Sequence, residues 1–212
     1  AQEPGLAGWW RLDGDADDSS GNNNHGTVVG NPQWVAGKIA GALDLDGVDD
    51  YVDCGNGASL DITGPITISA WIYPTGGGGG GYGRILDKSS STSATGPGYK
   101  IYPRAAENYI VTLSVGGGDH RSSAGVVLNT WNYMALTTTG TQWKLLLNGT
   151  WEQWNESRFP SSVSNPLFIG NSSIAARHFQ GMMDDVRIYN RALTSGEIAW
   201  LAGVTGAFEE PF

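Results

Sequence analysis

A chain of 212 residues with 32 glycines, nine tryptophans and only 16% charged side chains has the composition of a turn-rich, aromatic-rich β domain. It does not have that of a helical bundle or a disordered tail. The formal charge of −9 argues against nucleic-acid binding, which needs Lys and Arg against phosphate, and equally disfavours an anionic membrane surface. No apolar run is long enough to insert in a bilayer.

The start, Ala1-Gln2-Glu3-Pro4, has neither a charged nor an apolar leader region, and the end is Glu209-Glu210-Pro211-Phe212. Residues 1–5 and 207–212 are therefore expected to be linker ends of one domain, 1–212, with other domains of a larger protein beside it. Strands are predicted at 8–12, 42–46, 50–53, 66–73, 84–87, 99–102, 109–115, 131–138, 142–148, 167–170 and 184–190. Many short strands between Gly, Asn and Ser turns predict an all-β, two-sheet antiparallel sandwich.

The sharpest alternation sets Ile66, Ile68, Ala70 and Ile72 against Thr67, Ser69, Trp71 and Tyr73. Six glycines, Gly76–Gly81, follow, a loop expected to have no preferred backbone state. Leu145-Leu146-Leu147-Asn148-Gly149 predicts a strand ending in a hairpin turn. Cys54, the lone cysteine, reads as a small buried residue at a strand end.

One short C-terminal helix is predicted over Ser195–Leu201, because Thr194 and Glu197 form a capping box and Gly203 is a stop. Just before it, period-two alternation places Met182, Asp184, Val186 and Ile188 on one strand face. A carboxylate among core residues needs a partner or a cation, so Asp184 is expected to be a ligand or a hydrogen-bond anchor.

Ordered motifs recur along the chain: Gly8-Trp9-Trp10-Arg11-Leu12-Asp13, Asp18-Ser19-Ser20-Gly21, His25-Gly26-Thr27, and Ala42-Leu43-Asp44-Leu45-Asp46-Gly47 with Asp50-Tyr51-Val52. Thr67-Ile68-Ser69-Ala70-Trp71-Ile72, Trp131-Asn132-Tyr133-Met134-Ala135 and Phe179-Gln180-Gly181-Met182-Met183-Asp184-Asp185-Val186-Arg187-Ile188-Tyr189 complete them. In this order they resemble the laminin-G-like, concanavalin A-like jelly rolls that serve as accessory modules of secreted bacterial proteins. The resemblance implies two antiparallel sheets, one of them curved. It also implies one calcium ion joining an N-terminal Asp-rich loop to the C-terminal Asp-Asp motif, here Asp18 and Asp184.

Hard oxygen ligands suit calcium, and the loop 13–25 supplies Asp13, Asp15, Asp17 and Asp18. The expected set is Asp18, Asn23, His25 and Asp184; the alternative is a solvated acidic turn with Asp184 bonded to backbone N–H groups. No EF-hand or zinc spacing is present.

Hydrolysis needs two carboxylates at a fixed separation. The nearest pattern is Glu152-Gln153-Trp154-Asn155-Glu156, with Trp where the fold's glucanases carry the central Asp, so no catalytic residue is assigned.

Sugar rings stack on exposed aromatic side chains. Trp151 and Trp154, beside Glu152, are the first candidate platform, read as a loop. Tyr82 and Arg84 with Tyr99 and Tyr102 are the second. Trp34, Trp71, Trp131 and one of Trp9 and Trp10 are expected in the core. The expected function is a non-catalytic, lectin-like module, secreted or at the cell surface, binding an oligo- or polysaccharide and stabilised by calcium. The alternatives are a polysaccharide hydrolase or lyase of this fold and a protein-binding adhesion module.

Overall fold

The computed structural model describes residues 3–93 and 96–203, so the expected linker end at 207–212 lies outside the described residues. Among the described residues, fifteen strands occur in chain order. They are β1 Leu6–Trp10, β2 Thr27–Val29, β3 Gln33–Ile39, β4 Gly41–Asp46, β5 Tyr51–Asp53, β6 Thr67–Pro74, β7 Leu86–Ser89 and β8 Gly98–Arg104. Then follow β9 Ile110–Val115, β10 Gly118–Gly125, β11 Asn132–Thr138, β12 Gln142–Leu147, β13 Thr150–Asn155, β14 Phe168–Ile169, β15 Gln180–Tyr189 and the helix α1 Ser195–Leu201.

Every strand pairing is antiparallel. The eight-stranded sheet runs β13-β12-β11-β6-β15-β4-β3, with β1 also paired to β15, and the seven-stranded sheet runs β10-β9-β8-β7-β14-β5-β2. This is the expected two-sheet sandwich with one short helix.

The inner faces meet in one core that includes Leu43, Leu45, Ile68, Ala70, Ile72, Leu86, Ile101, Leu113, Met134 and Val186. The alternation predicted for β6 holds: Ile68, Ala70 and Ile72 enter this core, while Trp71 packs on the opposite face. Trp10 is fully buried, and its Nε1 donates to the Asn24 carbonyl oxygen at 2.9 Å. Its ring lies over Gly8, where a Cβ would come within 2.4 Å of Trp10 Cη2, so the small residue two positions earlier makes room for the ring.

The expected tryptophan core needs corrections. Trp34 is 40% exposed on the edge strand β3, Trp131 is half-buried against Tyr73 outside the core, and Trp143 of β12, not anticipated, is wholly buried. Edge position decides the first, since one flank of β3 has no neighbouring strand.

A second apolar cluster lies on the outer face of the eight-stranded sheet, where α1 places Ile198 and Leu201 against Tyr133, Leu146 and Tyr189. Thr194 Oγ accepts from the Glu197 N–H while Glu197 accepts from the Thr194 N–H, the reciprocal cap expected from the sequence. The N-terminal segment is tied to the same face: Tyr189 Oη donates to Glu3 at 2.6 Å, and Arg187 pairs with Glu3 at 3.3 Å. Cys54 is buried at the end of β5, and burial pushes its thiol up.

Candidate functional site

The face carrying Asp184 differs from the period-two expectation. Asp185 has φ 49°, and the register of β15 slips between Asp184 and Arg187. This bulge inserts one residue and inverts the alternation beyond it. Met183, Val186 and Ile188 enter the core, whereas Asp184 lies opposite Trp71 on the outer side. There Oδ2 accepts from the Ile39 N–H at 2.7 Å, and Oδ1 is buried without a hydrogen-bond partner. Burial, helped by the like charges of Asp185 and Asp13, pushes the carboxyl up to about 7.

Asp18 has the opposite character. Its oxygens accept from the N–H groups of Trp9, Ser20 and Asn24 and from Ser20 Oγ, all at 2.9 Å. Four donors use the lone-pair directions of a carboxylate. Asp18 therefore organises the entry loop from within.

Asn23 is exposed at φ 60°; its neighbour Asn24, not singled out by the sequence, turns inward and donates to Ala7 O and Ser59 Oγ. His25 Nδ1 lies 3.1 Å from Asp17 Oδ1 at the surface. Strand β1 pairs with β15 on one flank and bridges to Asp18 on the other, so it stands between Asp18 and Asp184, and the structure does not bring the two together. The free buried oxygen of Asp184 has the hard-donor chemistry that calcium takes. Asp13 beside it is already engaged with the Gly41 N–H and Arg11.

The Trp151–Trp154 segment is strand β13, not a loop, and three positions along a strand put the two rings on opposite faces. Trp151 stands beside Leu146 on the outer face, 38% exposed, with Lys144, Gln153 and Ser195 around it. Trp154 turns inward and stacks on His120, ring centroids 5.1 Å apart at 18°. Glu152 accepts from the Ser123 N–H and hydroxyl, closing the sandwich edge. The pair cannot form one platform.

Tyr99 is also removed from the surface: it alternates with Lys100 along β8, is 1% exposed, and donates its hydroxyl to the Leu60 carbonyl in the core. The alternate positions Lys100, Tyr102 and Arg104 point to the outer face of the seven-stranded sheet. There a pocket of about 280 Å³ is lined by Tyr82, Arg84, Thr92, Tyr102, Arg104 and Arg177.

Arg84 lies with its Cζ 3.8 Å from the Tyr102 ring centroid, and Arg104 and Arg177 lie 5.4 and 5.3 Å from that of Tyr82. Arg84 is anchored by Asp87 at 3.1 Å, both side chains almost wholly buried. Burial pulls the Arg84 guanidinium down and pushes Asp87 up. Register places Asp87, Lys100, Ser114 and Asp119 in one row across this face, with Tyr102, Thr112 and Arg121 in the next. Arg104 Nε and Asp119 Oδ1 are buried without hydrogen-bond partners. Asp87 and Asp119 are three strand spacings apart, roughly 14 Å, beyond the carboxylate separation of glycosidases.

The glycine loop shapes one wall of this pocket. It has a defined conformation with φ of 58° at Gly78, 64° at Gly80 and 78° at Gly81, and the Gly79 N–H donates to His178 O at 2.8 Å. A Cβ on Gly78 would come within 2.1 Å of His178 O, so glycine is required by left-handed backbone and close approach together. The sequence expectation of an indefinite loop missed this because the packing partner, Ala176–His178, is a hundred residues away.

Residues 46–199 match a sequence model described as the concanavalin A-like lectin/glucanases superfamily. No curated protein sequence matches the chain. Among solved structures, the chain is similar to domain 4 of AbnA, a GH43 extracellular arabinanase from Geobacillus stearothermophilus, in complex with arabinotriose. The identity is 21% and the TM-score 0.68, over 94% of this chain and 99% of that one. It is similar too to the binding domain of Paraclostridial Mosquitocidal Protein 1 (16% identity, TM-score 0.72, 93% of this chain and 51% of that). A further similar structure is the binding domain of botulinum neurotoxin DC in complex with SialylT (15%, TM-score 0.67, 94% and 51%). The chain spans about half the length of these toxin domains, and at such identities the likeness is one of fold. Among the described residues no helix is long and apolar enough to cross a membrane.

Proposed function

The chain belongs to the concanavalin A-like lectin/glucanases superfamily, and we propose that it is a non-catalytic carbohydrate-binding module whose ligand enters the pocket on the outer face of the seven-stranded sheet. One observation carries the reading: three guanidinium groups and two phenol rings line this pocket, and the Nε of one of them, Arg104, is buried without a hydrogen-bond partner. Guanidinium N–H groups and the Thr92 hydroxyl match the oxygens of a sugar, and the half-buried Tyr82 offers a rigid edge for its C–H surface. The arabinotriose complex of the AbnA domain supports a saccharide as ligand class on this fold.

Calcium, where present, is held through Asp184 and stabilises the outer face of the opposite sheet, away from the sugar. Secretion or surface display, with further domains beside this one, fits a module of this kind. Binding of a glycan panel by wild type, Tyr82→Ala and Trp151→Ala, with and without a chelator, tests the reading. Loss in Tyr82→Ala with retention in Trp151→Ala is expected; the reverse, or no glycan binding at all, would overturn it.

A further inference from the structure

In a chain of net charge −9, the pocket face is locally cationic. Arg84, Lys100, Arg104, Arg121 and Arg177 gather there against three acids, Asp87, Glu107 and Asp119. The acids do not cancel these charges evenly. Asp87 is held by Arg84, and Glu107 bridges Arg104 and Arg121 at 2.6 and 3.1 Å. Lys100 is turned sideways, its Nζ donating to the carbonyls of Ser91 and Ser93 at 2.6 Å.

Arg177 is left least engaged. Among the described residues its side chain makes one hydrogen bond, a long one of 3.5 Å to Gly79 O, and no ion pair. Arg104 keeps its Nε unpartnered in the same pocket. Both cations lie against the Tyr82 ring, 5.4 and 5.3 Å from its centroid. Cation–π contact fixes a guanidinium in position without using any of its N–H donors.

We propose that the ligand of this pocket is an anionic glycan, its uronate carboxylate or sulfate ester held by Arg177 and Arg104; this rests on the carbohydrate reading above. A guanidinium is the side chain whose fork matches a planar carboxylate or a sulfate edge with two parallel hydrogen bonds. The anion would enter against the overall charge of the protein, so its attraction depends on the local cluster and weakens with salt.

The test is calorimetric titration of the full chain with oligomers of galacturonate, glucuronate and mannuronate, their carboxyl-reduced neutral counterparts, and sulfated oligosaccharides of equal length, at low and moderate NaCl. An acidic oligomer is expected to bind about tenfold or more tightly than its neutral counterpart, with the gap narrowing as salt rises. Arg177→Gln should lose roughly 10- to 100-fold for the acidic ligand, the range for a hydrogen bond to a charged group, and little for a neutral one. Arg104→Gln serves as the second variant if Arg177→Gln melts early. The uronate and sulfate arms identify the source of the charge.

Neutral oligomers binding equally well, with sensitivity to Tyr82→Ala, would overturn the anionic inference and leave the carbohydrate reading standing. Absence of binding to every ligand would overturn both.

Discussion

Asp184→Asn isolates a buried carboxyl that folding forces far from its ordinary value. The carboxyl is raised from 3.8 to about 7, chiefly because folding buries it, with the Asp185 and Asp13 charges adding to the effect. A group raised by folding stabilises the native state in its protonated form. That contribution is complete below the unfolded value near 3.8 and is lost as pH rises through about 7.

From pH 5 to pH 8 the loss covers roughly two pH units at about 1.36 kcal/mol each, or nearly 3 kcal/mol. Asparagine does not titrate and keeps the oxygen that accepts from Ile39. Its amide in the place of Oδ1 costs about 1–3 kcal/mol if it finds no acceptor. That cost is independent of pH, so the difference between the two proteins carries the signal. In urea denaturation with a chelator present, the stability of wild type minus Asp184→Asn should fall by about 2–3 kcal/mol between pH 5 and pH 8. A difference that stays flat, or rises with pH, would refute the reasoning. Calcium added at pH 8 should restore wild type and leave the variant unmoved.

Three other outcomes follow from single contacts. Arg84→Met removes the partner of a buried carboxylate and should cost about 3–5 kcal/mol in denaturant titration, with Asp87→Leu in the same chain recovering part of it. Thr194→Ala breaks the reciprocal cap of α1 and should cost about 1 kcal/mol, a fall of about 2–4 °C in Tm by calorimetry. Tyr189→Phe leaves Glu3 held by Arg187 alone, so limited proteolysis before Leu6 should quicken at a stability cost of about 1 kcal/mol.

The fold was readable because its signals are local. The β6 alternation, the Thr194–Glu197 box and the turn after β12 each rest on a few neighbouring residues, and each appears in the structure. The strands the sequence reading omitted, β2, β3, β10 and β13, carry exposed and polar residues on short or edge strands, where no apolar period stands out.

The site was less readable. Tyr82 and Arg84 were legible as aromatic and cationic residues beside a glycine run, but Arg104 and Arg177 join them only through sheet register and a loop nearly a hundred residues later. One bulge residue, Asp185, moved Asp184 to the other face, and nothing in the local sequence marks its left-handed backbone. Trp151 and Trp154 appeared as a pair because they are close in sequence; strand geometry separates them across the sheet.

The most direct measurement is a chemical-shift map of the isotope-labelled chain titrated with the best ligand from the glycan panel. The account predicts perturbations centred on Tyr82, Arg84, Tyr102, Arg104 and Arg177, with Trp151 and Lys144 unmoved. Perturbations centred on Trp151 and Lys144, with the Tyr82 pocket silent, would contradict it.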